Sequence, residues 1–191
     1  MTRKALITAL FSALTLCAGG RMSIRLCNLD AVSEATVAGA QAVLVAIFRP
    51  MQVEVTWAAC EDRTSVDTAI ILRLRRNGPA LETGSGSLDM MGMAFTAPGV
   101  AGNLADVYYT AVEKFARKNG ADPAEVLGYV IAHEIGHLLL GPGHVDASIM
   151  CARWNAKTLA DARQRWLTFN PSQRAAVRSE LQARSTLLAR N

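Results

Sequence analysis

The sequence predicts an α+β domain: a twisted, mixed sheet of about five strands, with helices packed against it. Three observations predict it. Short alternating apolar segments recur over the first half of the chain, from Met22 onward. The earliest two are separated by one helical pattern, the order of a parallel βαβ unit. The second half is helical, and its strongest helix opens on Asp122-Pro123. Hydrophobic residues make up 51% and charged residues 19% of the 191 residues, a globular balance that excludes a disordered chain.

Residues 1–20 read as a secretory signal. Arg3 and Lys4 form a positive start, Ala5 to Leu16 an apolar run, and Ala18-Gly19-Gly20 a small-residue cleavage site before Arg21. The run is too short for a transmembrane helix, and Leu16 is too bulky for a lipoprotein signal at Cys17. The expectation is an exported protein, secreted or periplasmic, with residues 21–191 as a single domain. Its formal charge of +4 includes Arg3 and Lys4 and falls to +2 without them, too little to argue for nucleic acid or a membrane surface. Cys27, Cys60 and Cys151 remain, so an oxidising compartment gives one pair and one leftover thiol. Cys27 and Cys60 follow neighbouring strand patterns and are the favoured pair.

Met22–Leu29 alternates as the first strand. Ser33–Phe48 is an Ala/Val-rich helix with Ser33 as cap and Pro50 beyond its end. Gln52–Trp57 is the second strand and Thr68–Arg75 the third, apolar enough to be central. Residues 77–87 are loop by composition. Leu88–Thr96 is a fourth strand, weakened by Gly92 and ended by Pro98-Gly99; an interior glycine suits a sheet edge or a ligand site. Ala105–Tyr109 gives a fifth strand, running into a helix that closes at Asn119-Gly120. The helix from Asp122-Pro123 runs to Leu140 and stops at Gly141. Beyond Met150 the chain is loop or short helix, until Asn170-Pro171 opens a final helix. Arg174, Arg178, Arg184 and Arg190 on that helix read as a solvated face rather than an anion site.

Within the helix opened by Asp122 lies His133-Glu134-Ile135-Gly136-His137, an H-E-x-x-H pattern. Four-residue spacing sets both imidazoles on one helix face, where they can hold one zinc ion. Glu134 is placed to act as general base on a zinc-activated water without ligating the metal. His144 follows seven residues after His137, and Met150 six residues later. All three histidines of the chain fall in this one stretch. Three protein ligands leave a position open for water, as catalytic zinc sites do.

The stretch resembles the metzincin zinc proteases, whose signature is H-E-x-x-H-x-x-G-x-x-H followed by a methionine turn. His133, Glu134, His137, Gly141, His144 and Ser148-Ile149-Met150 look like its parts. The short gap from His144 to Met150 is most similar to the matrixin (matrix-metalloprotease-like) branch. One departure is plain: three leucines, not two residues, separate His137 from Gly141, so Gly141 and His144 are displaced by one. The stretch Gly92-Met93-Ala94-Phe95 looks like the edge strand that pairs with extended substrate in that branch. Met93 stands where matrixins carry a structural-zinc histidine, so their extra structural metals are not expected. The resemblance implies a metzincin-like (zincin) fold with an edge strand at the cleft, a backing helix, an active-site helix and a C-terminal helix. It implies a zinc-dependent endopeptidase acting on peptide or protein substrates, with His133, His137 and His144 on zinc and Met150 beneath them. Two other readings stand beside it. One takes a carboxylate (Glu180, Asp146 or Asp161) as third ligand, as in thermolysin-like proteases. The other is an exported zinc-binding protein with a degenerate, non-catalytic site.

Overall fold

The computed structural model of the protein describes residues 20–62, 70–79, 90–97, 100–188 and 190. The signal reading of residues 1–19, Cys17 and most of the 77–87 loop lie outside them. Five strands form one sheet: β1 (Arg21–Asn28), β2 (Glu54–Ala59), β3 (Ile70–Arg75), β4 (Gly92–Ala97) and β5 (Val100–Tyr108). Their spatial order is β2-β1-β3-β5-β4. β2, β1, β3 and β5 run parallel; β4 is antiparallel to β5 at the edge. The sheet is therefore mixed but mostly parallel, with β3 central as its apolar run implied.

Helix α1 (Glu34–Phe48) connects β1 to β2, and Ser33 caps it by accepting from Thr36 N–H. α2 (Tyr109–Lys118) and α3 (Pro123–Leu140) follow β5, then α4 (Ala156–Arg163) and α5 (Pro171–Leu188). One face of the sheet supplies Met22, Ile24, Leu72, Leu74, Ala105 and Val107 to the core, where Leu44 and Phe48 of α1 and Leu127, Ile131 and Ile135 of α3 close over them. Strand alternation leaves the other face to Arg73, Arg75 and Asp106. None of the described helices is long and apolar enough to cross a membrane.

Two expected boundaries shift, each for a local reason. β2 starts at Glu54, not Gln52, because Arg49–Met51 forms a 3₁₀ turn that Gln52 closes in the left-handed region at φ 57°. β5 begins at Val100 rather than Ala105, because its antiparallel pairing with β4 runs from Gly92–Val107 out to Ala97–Val100. Beyond Met150, where the sequence reads as loop or short helix, the chain forms the short helix α4. Asn155 accepts from Thr158 N–H while Thr158 Oγ1 accepts from Asn155 N–H, a reciprocal cap that starts a short helix.

Cys27 and Cys60 form the expected disulfide, with Cys151 free and buried. A bond of this kind is compatible with an extracellular location. It closes a 33-residue separation between β1 and the end of β2. Cys27→Ser is expected to cost about 2–5 kcal/mol of stability, read by urea denaturation. A loss under about 0.5 kcal/mol, the size of an ordinary surface change, would mean the bond contributes nothing to the folded state.

Candidate metal centre

The site is built on α3. Asp122 accepts from Ala124 N–H at 2.9 Å and Pro123 takes the first helical position, so the helix starts where its sequence predicts. It buries Val126 through Gly136, including His133 and Glu134, and presents His137 at the border of solvent. The four-residue spacing brings His133 Nε2 within 3.1 Å of His137 Nε2. His133 Nδ1 lies 2.8 Å from Ile149 O and His137 Nδ1 3.3 Å from Gly141 O. Each Nδ1 donates to its carbonyl, so each Nε2 presents a lone pair. Two lone pairs at 3.1 Å repel unless a cation lies between them. Donors on one tetrahedral zinc, each at about 2.0–2.1 Å, are about 3.3 Å apart, close to this pair. The carbonyls fix tautomer and ring orientation, as outer-shell partners of metal-binding histidines do.

α3 runs to Leu140, and Gly141 ends it at φ 87°, a conformation that suits glycine. Its N–H returns to His137 O, and its own carbonyl meets His137 Nδ1. The chain then carries His144 back over the helix. The His144 ring lies 5.4 Å from that of His133 and 4.9 Å from that of His137, and the three donor atoms fall within 4.8 Å of one another. His144 is exposed on its loop. These three histidines could hold a metal ion such as zinc.

The segment after His144 is pinned from several sides. Val145 N–H donates to Met150 O and Ile149 N–H to Thr168 O. Ser148 Oγ donates to Val145 O at 3.0 Å and accepts from Met150 N–H at 3.1 Å. Met150 is buried directly beneath Gly136, where a Cβ would collide with its sulfur. The glycine inside the H-E-x-x-H pattern thus makes room for the methionine, a role its sequence position alone does not reveal. Trp154 is a second residue that sequence reasoning missed. Its ring stands edge-on 6.2 Å from His133 and 6.4 Å from Tyr129; an isolated aromatic in an irregular segment carries no periodic signal.

Glu134 points toward β4. Its carboxylate accepts from Ala94 N–H and fills the space that a Cβ on Gly92 would need. Of the four residues read as an edge strand, Gly92 and Ala94 therefore face Glu134, while Met93 and Phe95 lie on the opposite face of the sheet. Among the alternative ligands, Glu180 is bound to Arg184 at 2.8 Å and Asp161 to Lys157 at 2.7 Å. The donor set is made of histidines.

No model of a known protein family matches the chain, and no curated protein matches it in sequence.

Burial pushes Glu134 up to about 8 and His133 down to about 4, and it also lowers His137. Depressed imidazoles stay neutral at physiological pH, the form that binds a metal. The Glu134 shift has a consequence for the metal-free protein. An unfolded glutamate titrates at 4.5, so between pH 6.5 and 8 the folded chain holds a proton the unfolded chain has lost. Stability must then fall as pH rises, by up to about 1.4 kcal/mol per pH unit for one proton. Denaturation in the presence of chelator at pH 6.5 and pH 8 should show that fall in the wild type and a flatter response in Glu134→Gln. Equal slopes for the two proteins would contradict the placement of Glu134.

Proposed function

We propose that the protein is an exported zinc-dependent endopeptidase of metzincin-like architecture. One observation carries the reading: a buried glutamate lies one helix position from the first of three converging imidazoles. His133, His137 and His144 are the residues that would hold zinc. A bound zinc supplies Lewis acidity, lowering the pKa of water toward about 7 and polarising a carbonyl. Glu134 takes the proton released by the attacking water and delivers it to the leaving amine nitrogen. A carboxylate one helix position from the imidazoles can serve both halves of that transfer. Gly92 and Ala94 flank Glu134 on β4, the edge strand of the sheet among the described residues, where an extended peptide can add as a further strand and bring its scissile bond to the carboxylate. The carbonyls of Ile149 and Gly141 keep the imidazoles of His133 and His137 in place while substrate enters.

The purified protein, freed of residues 1–20, should hydrolyse members of a mixed peptide library. Hydrolysis should stop with 1,10-phenanthroline and return with added zinc. A zinc-loaded protein that cleaves nothing in the library would favour the non-catalytic zinc-binding reading.

A further inference from the structure

The sheet face turned away from α1 and α3 has chemistry of its own. Arg73 registers with Asp106 across β3 and β5, and Arg75 registers with Tyr108. Met93 registers with Asp106 from the other side, and Phe95 follows two residues later on β4. These six side chains line a depression of about 430 Å³, within the size range of small-molecule sites. At its base Asp106 is 2% exposed. Arg73 grips that carboxylate with both arms, Nε to Oδ1 at 2.5 Å and Nη2 to Oδ2 at 2.9 Å. Its guanidinium also lies 5.7 Å from the centre of the Phe95 ring. Arg75 reaches the same carboxylate only at 3.6 Å, outside hydrogen-bonding range, and its side chain is 48% exposed. Among the described residues two guanidiniums thus share one carboxylate, which gives the depression an excess positive charge beside an aromatic and a thioether wall.

We propose that this depression binds a monocarboxylate bearing an aromatic ring, at a site separate from the histidine cluster on the other face of the sheet. The planar fork of Arg75 matches a carboxylate. Arg73 adds charge without having to reorganise, because Asp106 already holds it. The ring of the ligand covers Phe95 and Met93, removing apolar surface from water. Among the described residues Arg75 is the group whose donors are still to be matched, so it sets the selectivity for an anion.

The test is calorimetric titration with phenylacetate and its neutral counterpart phenylacetamide. A charge-assisted hydrogen-bonded pair should make phenylacetate bind about tenfold tighter or more. Arg75→Gln, a change at a half-exposed side chain, should abolish that preference. His133→Ala, which dismantles the metal centre, should leave it intact and so separates this site from carboxylate binding at a metal. Phe95→Leu should weaken phenylacetate while leaving acetate unchanged. Equal affinity for the two probes, a preference that survives Arg75→Gln, or one that disappears in His133→Ala would each overturn the proposal.

Discussion

Glu134→Gln is expected to lower kcat/KM for peptide hydrolysis by about 10³-fold or more while zinc content stays at one ion per chain. The amide is nearly isosteric and still accepts from Ala94 N–H, so the packing against Gly92 and β4 is preserved. What it loses is the ability to take up and release a proton. Positioned general acid–base groups contribute about 10²–10⁴-fold, and here one group serves both transfers. Metal content measured on the same sample separates the two roles of the site. Activity within threefold of wild type would remove Glu134 from the mechanism. Loss of zinc together with activity would mean that the carboxylate is a ligand.

His133→Ala has the second large effect. Its imidazole is the most deeply held of the three, buried on α3 and oriented by Ile149 O at 2.8 Å. Losing an outer-shell partner typically weakens a metal site about 10–100-fold, so losing a ligand should weaken it more. Zinc affinity measured against a competing chelator should fall beyond that range, and hydrolysis should cease. The change also strands the buried Ile149 carbonyl at a cost of about 1–3 kcal/mol. His144→Ala removes an exposed ring with no such partner and should weaken zinc without that loss of stability. Zinc affinity that is unchanged in His133→Ala would place the metal elsewhere.

The parts legible in the sequence were those fixed by local rules. Asp122-Pro123 and Gly141 bound α3 because capping and a positive φ leave few alternatives. The spacing of His133 and His137 needs only helical periodicity to put both rings on one face. Cys27 and Cys60 lie near each other because β1 and β2 are neighbours, which the strand–helix–strand order implies. Other features depend on contacts between residues far apart in the chain. Arg73 and Asp106 are 33 positions apart, and only the β3–β5 register pairs them. The close fit of Met150 beneath Gly136 requires the return of the 141–150 loop over α3. Alternation on β4 was visible, but which residues face Glu134 follows from the edge position of that strand. Gln52 was misread because its neighbours carry a strand pattern while its own backbone closes a turn.

X-ray absorption at the zinc edge on the zinc-loaded protein tests the central claim most directly. The site described here predicts three imidazole nitrogens at about 2.0–2.1 Å and one light oxygen donor, with one imidazole lost in His144→Ala. A sulfur donor at about 2.3 Å, as Cys151 would give, or a spectrum unchanged by His144→Ala would contradict it.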